Sequence, residues 1–229
     1  MPKKWTKPYY ELKGNDGEKV VIDVTSSVAP GLPPNKVIRA ELIRLFKATK
    51  VRKVVDFGAG ALRHVFPLLS AGFEVCAVEF EEQFCRPVCA ENLKDAEKHP
   101  NFSKLIWPKD FINDNRKFDA ALLCYVLQTM PIPSERELVL RLLKKKLNDD
   151  SYLFFMSRYN QLDKLPRKRK VSDGYYMWPD REYHSFYTEF KTEKVHEMIE
   201  RHKFRHIRSL SERGTDQVHL YAKGKAIWV

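Results

Sequence analysis

The stretch Val54-Val55-Asp56-Phe57-Gly58-Ala59-Gly60-Ala61 constrains this chain more than any other. An apolar run that ends in an acid and passes into a glycine turn is how a nucleotide-binding strand hands over to its helix. Gly58 and Gly60 permit backbone angles that a side chain disfavours, and they let a ligand approach the main chain at a helix N-terminus. The apolar pattern predicts a buried strand over Lys53 to Phe57 and a helix over Leu62 to Leu69. A second apolar strand, Phe73-Glu74-Val75-Cys76-Ala77-Val78, ends in Glu79, about twenty residues after the turn, where a carboxylate can accept two ribose hydroxyls.

Two neighbouring motifs are disfavoured. The dinucleotide fingerprint G-x-G-x-x-G/A wants a small residue at its third position, and Arg63 stands there. A P-loop needs Gly-Lys-Ser/Thr after the turn, and none follows.

The order acid-x-Gly-x-Gly at Asp56, Gly58 and Gly60, followed by the strand-end acid Glu79, resembles the first two motifs of the class I S-adenosylmethionine-dependent methyltransferases. The resemblance runs over roughly residues 35 to 225 and departs from the family at Leu62, where many members have a further glycine. It implies that Asp56, Phe57, Gly58, Ala59 and Gly60 surround the methionine end of S-adenosylmethionine, with Glu79 on the ribose and Phe80 beside it. It also implies that Asp110 and Phe111 meet the adenine and that Cys124 lies at the pocket; the competing reading makes Asp110 a turn acid beside a core phenylalanine.

The remaining apolar runs supply the rest of an α/β chain. Phe102 to Trp107, Phe118 to Leu127 and Ser151 to Met156 read as buried strands, and His206 to Leu210 with Val218 to Lys223 as a terminal pair. Helical patterns follow Asn35, Glu79, the capping-box pair Ser134 and Glu137, and Thr192. The expected fold is a doubly wound, mostly parallel seven-stranded sheet with an antiparallel terminal pair. An N-terminal hairpin is added by Pro8 to Leu12 and Lys19 to Val24 around Gly14 and Gly17. The domain organisation expected is a hairpin extension over 1–34 and one domain over 35–229, with a basic and aromatic insertion over 160–187.

The 41 Lys+Arg against 30 Asp+Glu leave a formal charge of +11, which favours a polyanionic partner. The charge concentrates in Lys164, Arg167, Lys168, Arg169 and Lys170, followed by Tyr175, Tyr176, Trp178 and Tyr183. Charge that tracks a phosphate backbone, with rings that stack on bases, suits RNA or DNA, while a solvated loop or a nuclear-import signal has the same composition. Four cysteines, Cys76, Cys85, Cys89 and Cys124, show no C-x-x-C spacing, so they read as packing residues and no metal is expected. No apolar run long enough to span a membrane and no export signal occurs, so the expected location is cytoplasmic.

Methyl transfer is an in-line displacement that asks the protein mainly to align a nucleophile and exclude water. Tyr125, His184 and Tyr187 are the candidate general bases. The Cys124-Tyr125-Val126-Leu127 sequence lacks the Asp/Asn-Pro-Pro-Tyr/Phe run usual in methylation of the adenine amine of DNA. Leu123 precedes Cys124 where a cytosine-methylating thiolate would follow proline. The expectation is a methyltransferase with nucleic acid the leading acceptor. The alternatives are a small-molecule acceptor, or a non-catalytic nucleic-acid-binding subunit of the same fold.

Overall fold

The computed structural model describes residues 8–27, 33–158, 162–177, 182–211 and 216–227. Trp178 and Gly214 lie outside the described residues.

Seven strands form the central sheet: β3 (Lys53–Phe57), β4 (Glu74–Glu79), β5 (Phe102–Ile106), β6 (Phe118–Cys124), β7 (Leu147–Arg158), β11 (Arg205–Ser211) and β12 (Asp216–Lys223). Their order is β11-β12-β7-β6-β3-β4-β5, with the five from β7 to β5 parallel and β12 antiparallel to both of its neighbours. The chain steps outward from β3 through β4 to β5 and then returns to β6 on the other side of β3. In open α/β sheets the crevice at such a reversal, at the carboxyl ends of the strands, is where ligands bind.

The strands read as continuous apolar runs because both faces are covered. Val54, Val75, Ala77, Leu122, Phe154 and Leu220 point to one face, packed under Leu45 and Phe46 of α1 (Ile43–Ala48), Leu68 of α2 (Val65–Ser70) and Leu93 of α4 (Pro87–Ala96). Val55, Val78, Leu123, Phe155 and Tyr221 point to the other. They meet Phe111 of α5 (Lys109–Asn113), Leu140 and Leu143 of α6 (Pro133–Lys146), and Val195 and Ile199 of α7 (Thr192–Glu200). Each fully buried leucine or phenylalanine contributes about 1.5–3 kcal/mol.

Three local expectations are corrected. The helix after the glycine turn starts at Val65, because Leu62 takes a left-handed backbone (φ 62°) that extends the turn. The helix after Glu79 is broken into α3 (Glu81–Phe84) and α4, whose first residue is Pro87. No capping box forms at α6: Pro133 holds its first position, Ser134 is already inside it, and Glu137 bonds His202 Nε2 at 2.6 Å. Asn35, by contrast, accepts the Val37 N–H at 2.8 Å ahead of the helical turns that lead into α1.

The stretch after Asn160, where the sequence pattern stops, folds into a small antiparallel sheet of β8 (Lys170–Val171), β9 (Gly174–Met177) and β10 (Ser185–Tyr187). It packs on the N-terminal hairpin of β1 (Tyr9–Lys13) and β2 (Lys19–Asp23): Val20, Ile22, Val171 and Phe186 share one buried cluster. His184 joins the two through its backbone, donating to Val21 O at 3.0 Å and accepting from Asp23 N at 2.9 Å. Hairpin and insertion thus form one cap over the carboxyl ends of the strands.

Candidate active site

After Phe57 the chain turns through Gly58 (φ 72°) and Gly60 (φ 55°). A methyl group on Gly58 would stand 2.3 Å from Val126 Cγ2, so the glycine also provides clearance between the ends of β3 and β6. The Gly58 and Ala59 N–H groups donate to Val78 O at 2.9 and 3.2 Å, which ties the turn to β4. The carboxylate of Glu79 accepts from Gly60 N at 3.0 Å and Phe80 N at 2.9 Å. From α4, the Cys89 thiol donates to Gly60 O at 3.0 Å and the Asn92 amide to Ala61 O at 2.7 Å. The turn is therefore held from three sides.

Two carboxylates lie at this turn with almost no solvent: Asp56 is 1% exposed and Glu79 9%. Burial, reinforced by the charge of Glu79, pushes Asp56 up to about 7, against a smaller opposing effect from Arg63. Glu79 is also raised by burial, an effect its two backbone hydrogen bonds oppose. His64 is lowered to about 3 by burial and then by Arg63, so its imidazole is neutral. Asp56 Oδ2 and His64 Nε2 are buried with no hydrogen-bond partner among the described residues. Buried polar atoms are normally satisfied, and of these two residues His64 also lines the cavity that opens over the turn.

A cavity of about 430 Å³ opens over the turn. At one end it is lined by Phe57, Gly58, Gly60, Glu79, Phe80 and Trp107, and Cys124 also faces it. At the other end lie Tyr125, Gln128, Glu135 and Arg158 from the sheet side, with Tyr10 and Thr25 of the hairpin region and Leu165, Met177 and Tyr187 of the insertion. Tyr125 takes a left-handed backbone (φ 63°) on leaving β6. Its hydroxyl donates to Asp216 Oδ2 at 2.9 Å, and the guanidinium groups of Arg63 and Arg158 stand 5.3 and 5.4 Å from its ring. Arg158 also donates to Asp216 Oδ1 at 3.2 Å, and Tyr10 donates to Glu135 Oε2 at 2.5 Å.

Of the residues singled out in the sequence, Phe57, Gly58, Ala59, Gly60, Glu79, Phe80, Cys124, Tyr125 and Tyr187 line this one cavity. Asp56 is not among the lining residues; its side chain is buried at the turn. Asp110 and Phe111 are placed elsewhere. Asp110 accepts the Ile106 N–H at 3.1 Å, and Phe111 is fully buried against Phe57 and Trp107, so Trp107 faces the cavity instead. His184 is also outside the lining, with its ring against Tyr176. Lys164, Arg167, Lys168 and Lys170 are exposed on the cap and Arg169 is half-buried; none lines the cavity. Tyr175 and Tyr176 are half-buried in β9.

The electrostatics decide among the candidate proton acceptors. Burial raises Tyr125, helped by Asp216, and raises Tyr187, so both phenols stay protonated and neither serves as the base. Burial also raises Cys124 well above the ordinary thiol range, which removes it as a thiolate nucleophile. Glu135, 4% exposed and reached only once α6 is folded, is the acid that the sequence did not flag. Trp107 was within reach of a rule, since it directly follows β5 at the binding edge of the sheet. Tyr10 and Glu135 carried no signal, because they meet only through the tertiary fold.

No family model and no curated protein matches the sequence. Among solved structures, a S-adenosylmethionine-dependent methyltransferase from Clostridium acetobutylicum is similar over 87% of this chain and 94% of its own, at 12% identity and a TM-score of 0.62. The methyltransferase CcbJ from Streptomyces caelestis covers 88% of this chain and 95% of its own, at 15% identity and a TM-score of 0.62. A 1,6-didemethyltoxoflavin-N1-methyltransferase from Burkholderia thailandensis, determined with 1,6-didemethyltoxoflavin and S-adenosylhomocysteine, covers 83% of this chain and 80% of its own, at 18% identity and a TM-score of 0.60. At these identities the likeness is one of fold, and the chain has the class I methyltransferase fold.

Proposed function

We propose that the protein transfers the methyl group of S-adenosylmethionine to a small acceptor held beneath the cap. The observation that carries this reading is one continuous cavity. It joins the glycine turn and Glu79 to a polar end enclosed by the hairpin and the insertion.

The residues at the turn fit the cofactor. Glu79 spends one lone pair of each oxygen on a backbone N–H and keeps others for the ribose hydroxyls. His64 offers a buried polar atom to the methionine end, and Phe80 and Trp107 offer apolar walls for the base. S-adenosylmethionine supplies an electrophilic methyl on a sulfonium, whose positive charge favours the ionised form of Asp56. At the acceptor end, Tyr125 gives its one O–H to Asp216 and is flanked by two guanidinium groups, which fixes its ring as a wall and leaves its oxygen able to accept. Tyr10 and Tyr187 present hydroxyls, and Glu135 takes the proton released as the acceptor is methylated.

A second reading, methylation of RNA or DNA, is supported by the exposed Lys164, Arg167, Lys168 and Lys170 on the cap and by the charge of +11. The small-acceptor reading is preferred because cap residues line the acceptor end, leaving room for a compact group. The test combines calorimetry with S-adenosylmethionine and transfer of label to small-molecule pools, RNA and DNA. Glu135→Gln should lower turnover at least tenfold while cofactor affinity stays within twofold. Failure to bind S-adenosylmethionine or its demethylated product would overturn the proposal. Cofactor and nucleic-acid binding without any transfer would favour the non-catalytic subunit.

A further inference from the structure

We propose that His196, His206 and His219 form a binding site for a divalent transition-metal ion, zinc by its ligand chemistry, which clamps α7 to the terminal strand pair. One ligand nitrogen from each histidine lies within 4.8 Å of the other two. The three come from separate elements: His196 from α7, His206 from β11 and His219 from β12. Their wide spacing in sequence matches no metal motif, and only the fold assembles them.

The placement follows from register. His206 is paired with Tyr221 across the β11–β12 ladder, and His219 lies two residues before Tyr221, so all three side chains emerge on the face covered by α7. The rings are tilted rather than stacked. His196 stands 4.3 Å from His206 and 4.8 Å from His219 between centroids, at interplanar angles of 57° and 65°. Tetrahedral zinc holds nitrogens at about 2.0–2.1 Å, which sets them roughly 3.4 Å apart. From a separation of up to 4.8 Å, side-chain rotations that move the nitrogens together by up to about 1.4 Å reach that spacing.

Histidine ligands are commonly oriented by a hydrogen bond at the other ring nitrogen. Tyr221 Oη stands 2.8 Å from His196 Nδ1, and Ser209 Oγ stands 3.0 Å from His219 Nδ1. With Nδ1–H donating in each, Nε2 carries the lone pair for the metal. Ser209 Oγ also stands 3.4 Å from His206 Nε2, so one hydroxyl borders two of the three rings. Three imidazoles with no carboxylate select zinc and its neighbours over calcium or magnesium. The fourth position falls to water.

The site is separate from the methyl-transfer cavity, since none of the three histidines lines it. It is nevertheless mechanically linked. Asp216, which holds Tyr125 and Arg158, lies three residues before His219 on β12, about 10 Å along the strand. A metal that fixes α7 to β12 steadies the strand that carries Asp216.

The test uses the full chain, freed of any affinity tag and treated with chelator. Addition of Zn²⁺ should give one binding event per chain and raise Tm by several degrees. Co²⁺ in its place should give the visible absorption bands of a tetrahedral nitrogen-rich site. His206→Gln and His196→Gln, both at half-buried positions, should each weaken binding at least tenfold and remove the cobalt bands, while His99→Ala at an exposed position should change neither. Circular dichroism identifies the folded variants to compare. Absence of one-to-one binding in the wild type would overturn the proposal, as would unchanged binding in folded His206→Gln and His196→Gln.

Discussion

Asp56→Asn isolates the cost of keeping a carboxylate buried at the glycine turn. In the folded chain this acid is pushed up to about 7 from an ordinary value of 3.8, first by burial and then by Glu79. The sign follows from proton counts. Between these two values the folded state holds a proton that the unfolded chain has released, so stability is greatest at low pH and falls as pH rises through 7. For a single group with these two constants the loss between pH 5 and pH 8 is on the order of 2–3 kcal/mol. Asparagine keeps the shape and does not titrate, so ligand-free Asp56→Asn should lack most of that decline and be the more stable protein at pH 8. Urea denaturation of both proteins at several pH values measures the difference. In the wild type a cationic ligand at the turn should bind more weakly as pH falls below 7, because protonation removes the negative charge of Asp56 behind the turn. This dependence should disappear in the variant. Parallel stability profiles for the two proteins would refute the argument.

Glu79→Ala removes two carboxylate hydrogen bonds that hold the turn as well as those offered to a ribose. Affinity for S-adenosylmethionine by calorimetry should fall more than tenfold, on the order of 1.5–3 kcal/mol. Gly58→Ala should cost about 1–2 kcal/mol for a left-handed alanine, plus the collision with Val126. Adding Val126→Ala should restore part of the cofactor affinity and none of the backbone cost, as read from titration and melting curves. Changing Arg167, Lys168, Arg169 and Lys170 together to Ser should leave cofactor affinity unchanged. If nucleic acid is the acceptor, it should also flatten the salt slope of binding by about one unit per lost phosphate contact.

The central sheet was legible because parallel strands covered on both faces leave unbroken apolar runs, and the glycine turn was legible because its backbone angles need glycine. Leu62 shows the limit of that rule: it takes a φ of 62° while its side chain is fully buried, so packing overrides a preference of about 1–2 kcal/mol. Asp110 and Phe111 show another. A strand-end acid and aromatic look alike whether they face a ligand or the core. Here the short helix α5 turns Phe111 onto Phe57 and leaves Asp110 to cap a backbone N–H. At α6 a proline displaced the expected cap by taking the first helical position.

The acceptor end was least legible, for a reason rooted in chain separation. Strands of two to four residues, such as β8, β9 and β10, are too short to show alternation, and the hairpin they pack on lies near the opposite end of the chain. What ties each of them to the main sheet's helices is long-range and polar. Asp23, at the end of β2, is bonded by Arg86 at 2.8 Å just before α4, the helix whose Cys89 and Asn92 grip the glycine turn. From the other side, Arg136 of α6 holds Asp173 of the insertion with both terminal nitrogens, one residue after Glu135. Arg136 is 4% exposed at its side chain, where a charge needs its partner, so this bond fixes the insertion more firmly than a surface pair could. The cap is thereby anchored beside the helix that grips the glycine turn and on the helix that carries the cavity acid, so the part of the chain with the weakest sequence pattern is held against the cavity it helps to line.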